Sequence, residues 1–83
     1  MAHLRYFSWV REKIGTPTEE IPLPPEGLTV AGVLDLLKNR DETHATALAS
    51  PNLRVAVNQT YARPTDAVRD DDEIAIFPPV SGG

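Results

Sequence analysis

Hydrophobic and polar positions alternate in two rhythms along the chain, and the change from one to the other predicts its elements. Period-two alternation, the mark of a half-buried strand, opens the sequence. Leu4, Tyr6, Ser8 and Val10 fall on one face, and His3, Arg5, Phe7 and Trp9 on the other, predicting a strand over 4–10. Arg11 to Gly15 is expected to form a short helical turn closed by Gly15 in the left-handed conformation. Thr18 to Leu23 reads as a second strand, paired antiparallel with the first; Pro22, Pro24 and Pro25 confine it to an edge or end it. The rhythm then becomes helical. Thr29 is a good N-cap, and Val30, Val33, Leu34 and Leu37 fall at i, i+3, i+4 and i+7, predicting an amphipathic helix that ends near Arg40. Gly32 in its first turn costs up to about 1 kcal/mol relative to alanine, and close packing on a sheet is the expected return. A weaker helix is expected over 41–49, closed by Ser50-Pro51. Alternation returns over Leu53 to Asn58, with Leu53, Val55 and Val57 opposite Arg54, Ala56 and Asn58, and again briefly over Tyr61 to Arg63. The acidic run Asp70-Asp71-Asp72-Glu73 reads as a solvated turn or a docking site, and it feeds a final strand, Glu73 to Phe77, with Ile74 and Ile76 inward.

Strand, strand, helix, strand, short strand, strand in so short a chain predicts an α+β domain, one mixed sheet with the main helix packed across one face. The first and last strands are expected side by side and parallel at its centre. That order of elements is the ubiquitin-like β-grasp, here with a domain over 1–77 and a flexible, extended tail over 78–83. Pro78 and Pro79 have no N–H for a ladder and hold φ near the polyproline value, so the sheet stops and the chain leaves stiffly. Its end, Gly82-Gly83, is narrow enough to thread a tunnel and lets a partner's backbone come close. A Gly-Gly end arises by chance in roughly one chain in 200, so its placement straight after a strand carries more weight than the dipeptide. From Pro78 the tail reaches about 20 Å. Phe7 and Phe77 both fall off the core faces of strands expected to be neighbours; with Tyr61 nearby they would form an exposed apolar patch, unless a register shift or a loop covers them.

Charge and composition narrow the partners. The chain has 83 residues, a net charge of -4 and an isoelectric point near 4.9. An acidic balance disfavours nucleic acid and anionic membranes, and by itself favours a basic protein surface as partner. No stretch is long and apolar enough to span a bilayer, and Met1-Ala2-His3-Leu4-Arg5 lacks a signal peptide's apolar core, so a cytoplasmic location is expected. The sequence has no cysteine, which excludes disulfides, zinc–thiolate sites and cysteine nucleophiles. His3 and His44 stand in no ligand-like spacing, and each is expected at the surface; no metal site is predicted.

Tyr6-Phe7, Val10-Arg11-Glu12, Gly15, Val57-Asn58-Gln59-Thr60 and, above all, Asp72-Glu73-Ile74-Ala75-Ile76-Phe77-Pro78-Pro79-Val80-Ser81-Gly82-Gly83 resemble the MoaD family along the whole chain. These proteins are the small, sulfur-carrying subunits of molybdopterin synthase. Glycine commonly stands in the family where this chain has Asp71, and an acidic residue often stands where it has Gly32. The resemblance implies that the Gly83 carboxylate, preceded by Gly82, is adenylated with ATP by a MoeB-type enzyme and converted to a thiocarboxylate. A MoaE-type large subunit would then receive the tail, and sulfur would pass to cyclic pyranopterin monophosphate. It implies further that Phe7, Arg11, Tyr61 and Phe77, with the tail residues Pro78, Pro79, Val80 and Ser81, contact the partner. Two large and two small subunits would assemble. No cofactor is expected on the chain beyond the covalent sulfur and the transient acyl-adenylate, and it is expected to be non-catalytic alone. A thiamine- or tungsten-cofactor carrier, a ubiquitin-like modifier joined to lysine, and an interaction module with an inert tail are the alternatives.

Overall fold

A computed structural model describes residues 1–79. Five strands form one mixed sheet in the order β2-β1-β7-β4-β5. β1 (Ala2–Tyr6) lies antiparallel to β2 (Thr18–Ile21) and parallel to β7 (Glu73–Phe77). β7 is antiparallel to β4 (Arg54–Val57), which forms a hairpin with the edge strand β5 (Thr60–Ala62). The last strand is therefore the central one, bonded on both sides, with the first strand parallel beside it as expected.

The alternation selects the core. Ala2, Leu4, Tyr6, Ile21, Val55, Ile74 and Ile76 point to one face and are buried. Val30, Val33 and Leu37 of α2 (Val30–Lys38) complete the same cluster. Thr29 caps α2 by accepting a hydrogen bond from the Gly32 amide at 3.1 Å. A Cβ at Gly32 would meet the Leu28 and Thr29 side chains rather than the five-stranded sheet, so close packing on that sheet is not what this glycine provides. α3 (Glu42–Ala47) is shorter than the expected 41–49 and is capped by Asp41, whose Oδ1 accepts from the His44 amide at 2.8 Å.

The first strand is shorter than its alternation suggests. It ends at Tyr6, and Ser8–Ile14 form α1, so Trp9 and Val10 are helical. Ser8 takes a left-handed φ of 56°, which turns the chain out of the sheet. Helical spacing then brings Val10 fully into the core and Ile14 against its rim. Gly15, at φ 95°, closes this helix as anticipated, its amide donating to the Arg11 carbonyl.

A second sheet, of β3 (Leu28–Thr29) and β6 (Ala67–Val68), was not visible in the sequence. It brings the 64–66 loop to the start of α2, where the Val30 and Ala31 amides donate to the Asp66 and Pro64 carbonyls. Two otherwise orphaned helix N–H groups are thereby satisfied.

Candidate docking face and tail exit

The sheet's outer face is assembled by register. Opposite the core residues of β7 stand Glu73, Ala75 and Phe77; Ala75 pairs with Ala56 of β4, and Ala56 with Tyr61 of β5. Two adjacent alanines leave a low floor, and the aromatic rings stand around it. Tyr61 and Phe77 lie 5.9 Å apart between centroids, inclined at 47°. With Ala56 and Gln59 they line a hollow of about 270 Å³. Tyr61 is 74% exposed, far more than an aromatic side chain needs to be in a self-contained domain.

Phe7 extends this face, though not from a strand as the alternation suggested. It is the extended N-cap of α1, and its amide donates to the Ile76 carbonyl at 3.2 Å, so it continues the β1–β7 ladder just before the chain turns. Phe7 is 38% exposed, with the Arg5 guanidinium 5.3 Å from its ring centroid. Arg11 is exposed one turn further along, where its amide donates to the Phe7 carbonyl at 3.4 Å. The structure therefore brings Phe7, Phe77 and Tyr61 onto one side of the sheet and places Arg11 beside Phe7.

The tail leaves from the same end. Pro78 is half-buried and Pro79 exposed. Pro79 borders a groove of about 580 Å³ that runs between α2 and the β4–β5 edge, past Val30, Leu34, Leu53 and Tyr61. The predicted site residues Val80, Ser81, Gly82 and Gly83 lie outside the described residues.

Asn58, which the alternation puts at the end of a strand, lies just beyond β4 in a turn and is a structural residue of this site. Asn58 and Gln59 have φ of 51° and 69°, a two-residue hairpin turn of the type that asparagine tolerates. The Asn58 side chain then accepts from the Glu73 amide at 3.0 Å and donates to Asp72 at 3.1 Å. The hairpin that carries Tyr61 is so pinned to the start of the strand that carries Phe77. Asp72 also accepts from the Arg69 amide, so at least this member of the acidic run organises a turn.

His44 reverses an expectation. Rather than lying at the surface, it is 5% exposed beneath α3. Its Nε2 lies 2.6 Å from Glu19 Oε1 and its Nδ1 2.7 Å from Asp41 Oδ1, while the Tyr6 hydroxyl donates to Glu19 at 2.8 Å. Burial opposes charge on the imidazole, but the hydrogen bonds to Glu19 and Asp41 outweigh it and hold the pKa above the ordinary 6.5. Burial likewise raises the Glu19 carboxyl, and the bonds from His44 and Tyr6 bring it below its ordinary value. The Tyr6 phenol is pushed up strongly, by burial first and by Glu19 second. These groups lie on the core side of the sheet, away from the tail exit. The stripe His44, Ala47, Leu48 at i, i+3, i+4 was the available sign that His44 faces inward.

Among the described residues no group of three or more His, Asp and Glu side chains is arranged to hold a metal ion, and no helix is long and apolar enough to cross a membrane. The site as described offers contact and delivery: an aromatic face, and a strand that feeds its tail out beside it.

The sequence pattern of the ThiS family matches residues 4–83. The chain is 39% identical over 83 residues to the molybdopterin synthase sulfur carrier subunit of Haemophilus influenzae, covering all of both chains. To the subunit of the same name from Escherichia coli it is 35% identical, again over the full length of both. Among solved structures it resembles SAMP1 of Haloferax volcanii, a small archaeal modifier protein, with a TM-score of 0.78 and 29% identity over 99% of this chain and 98% of that one. The β-grasp expected from the order of elements is thus the fold of the chain.

Proposed function

The chain belongs to the ThiS family, and from that premise we propose that it is the sulfur-carrier subunit of a molybdopterin synthase. The end-to-end similarity to two proteins of that name carries the reading, since it includes the tail as well as the domain. Thiamine-pathway carriers fall under the same family name, so the named relatives rather than the family decide between the two.

A free carboxylate is a poor electrophile, so Gly83 requires activation. In the proposed sequence its carboxylate oxygen attacks the α-phosphate of ATP on a MoeB-type enzyme and pyrophosphate leaves. Hydrosulfide released by the sulfur donor then adds to the acyl carbonyl and AMP departs, leaving a terminal thiocarboxylate. With no cysteine in the chain, this terminus is where the protein can hold transferable sulfur. The large subunit docks on the face formed by Phe7, Tyr61 and Phe77, with Arg11 beside it, and takes Pro78 to Gly83 into its own active site. It also supplies the acid and base groups for transfer to cyclic pyranopterin monophosphate. Within this division of labour the carrier contributes position, and the central strand fixes where its tail begins.

The likeness to SAMP1 favours a second reading, a modifier whose terminus is joined to protein lysines after the same adenylation. Intact mass after incubation with a MoeB-type enzyme, ATP and a sulfur donor tests the first reading. The expected product has one oxygen exchanged for sulfur, is absent when Gly83 is deleted, and is consumed by the large subunit with the pterin substrate. Lysine adducts in cells, with no thiocarboxylate formed by an activating enzyme that loads another carrier, would overturn it in favour of the modifier.

A further inference from the structure

The docking face carries a charge opposite to that of the protein as a whole. Each of its aromatic side chains has an arginine alongside. Arg5 lies over the Phe7 ring, 5.3 Å from its centroid. Arg54 is the register partner of Phe77 across the β4–β7 ladder. Arg63 follows Tyr61 by two residues, at the end of the edge strand, with its side chain 84% exposed. Arg11 lies one helical turn beyond Phe7, its amide bonded to the Phe7 carbonyl. Arg5, Arg54 and Arg63, three of the chain's 8 lysines and arginines, therefore border the aromatic face.

A run of four acids stands at the other end of the same strand. Asp70 to Glu73 precede and begin β7, and the Met1 amine sits 3.1 Å from Asp70 there. Two rim arginines have acidic neighbours, Arg5 with Glu73 at 3.5 Å and Arg63 with Asp66 at 3.7 Å. Among the described residues Arg54 and Arg11 have no carboxylate within ion-pair distance. A net charge of -4 for the whole chain therefore says nothing of this face, where the arginines border the end of β7 that meets a partner receiving the tail.

We infer that the partner surface for this face is an apolar socket ringed with aspartate and glutamate, and that Arg5, Arg54 and Arg63 select it. This rests on the sulfur-carrier reading and deepens it. Rim charges act on encounter and register more than on the buried contact, so their contribution depends on salt while that of the aromatic centre does not. A guanidinium beside an aromatic ring is also held in place, which lowers the entropy lost when it pairs.

The test is binding of the full chain to the purified large subunit of molybdopterin synthase from the same organism, at low and high ionic strength. Arg54→Glu and Arg63→Glu are expected to weaken binding by about tenfold or more each at low salt. Arg54→Lys should keep most of the affinity, and the charge-reversal losses should shrink at high salt. Asp71→Lys, at the acidic end, should leave binding within about twofold of wild type at high salt. Unchanged or tighter binding by both reversals, with Phe77→Asp still abolishing it, would overturn the acidic socket and leave the docking face standing. Binding that survives Phe77→Asp as well would overturn the docking face itself.

Discussion

The cluster under α3 gives a prediction that can be worked from its geometry. Both ring nitrogens of His44 lie within hydrogen-bond distance of a carboxylate oxygen, at 2.6 and 2.7 Å. Only the imidazolium has a proton for each. A neutral ring satisfies one carboxylate and turns a lone pair on the other. Groups from every neighbouring element bear on this. β2 contributes Glu19, β1 contributes Tyr6, and the approach to α3 contributes Asp41 and Arg40, with Arg40 3.6 Å from Glu19. From α1, Lys13 lies outside the cluster, along a surface cleft with Glu42, Thr43 and Thr46. Asp35 and Lys38 of α2 are exposed.

His44→Ala removes both charged contacts and the edge-on packing of the ring against Tyr6. Breaking a buried pair from one side costs about 3–5 kcal/mol. Here Glu19 retains Tyr6 and Arg40, so about 2–3 kcal/mol is the expected loss. The whole domain is worth roughly 4–12 kcal/mol, and the melting temperature should fall by about 10–20 °C.

The loss has a pH signature. A folded-state pKa raised above 6.5 means that the imidazolium's contribution is complete below that value and disappears as pH rises through the folded pKa. Glu19 and Asp41 are shifted down, Asp41 chiefly by the His44 amide, so their contribution is present above their ordinary values of 4.5 and 3.8 and is lost as pH falls. Urea unfolding of wild type and His44→Ala across pH 5 to 10 should therefore show the largest gap near pH 6, narrowing on the alkaline side. A gap of constant size from pH 6 to 9, or a His44 ring that titrates at or below 6.5 by NMR, would refute the doubly bonded imidazolium.

Phe77→Asp should leave the circular-dichroism spectrum and cooperative melt intact while abolishing capture by the large subunit; an unfolded variant would place Phe77 in the core instead. Asn58→Ala removes two bonds that tie the β4–β5 hairpin to β7 and should cost about 1–3 kcal/mol in chemical denaturation. Equal stability would mean that the hairpin needs no such bracket. Gly27 has φ of 80°, and a Cβ there would come within 2.8 Å of the Val68 carbonyl oxygen. Gly27→Ala should consequently lose about 1–3 kcal/mol and weaken protection of the β3–β6 amides in hydrogen exchange.

What the sequence disclosed depended on how far apart the interacting residues are. The α2 stripe, the Thr29 cap and the Ile74–Ile76 alternation are local, and each appears in the fold where its period puts it. The first turn of α1 was hidden because Trp9 and Val10 are residue types that favour strands, while the turn that redirects them is made by one left-handed serine. Strands of two residues, as in β3 and β6, are too short to show a period. His44 was missed because Glu19, which makes its burial tolerable, is 25 residues away. Total charge is likewise a property of the whole chain and does not say which end of the sheet holds the arginines. The outward-facing aromatics were legible because a large apolar residue out of phase with its strand is visible without knowing any partner.

The central place of β7 also determines how the protein bears load. Its tail is the part that a partner would grip and pull. Traction on Pro78 would run along β7 and be shared at once by the ladders to β1 and β4, which resist in shear instead of opening one bond at a time. An edge strand such as β5 would peel. A carrier built this way can have its end drawn repeatedly into narrow sites and come away folded.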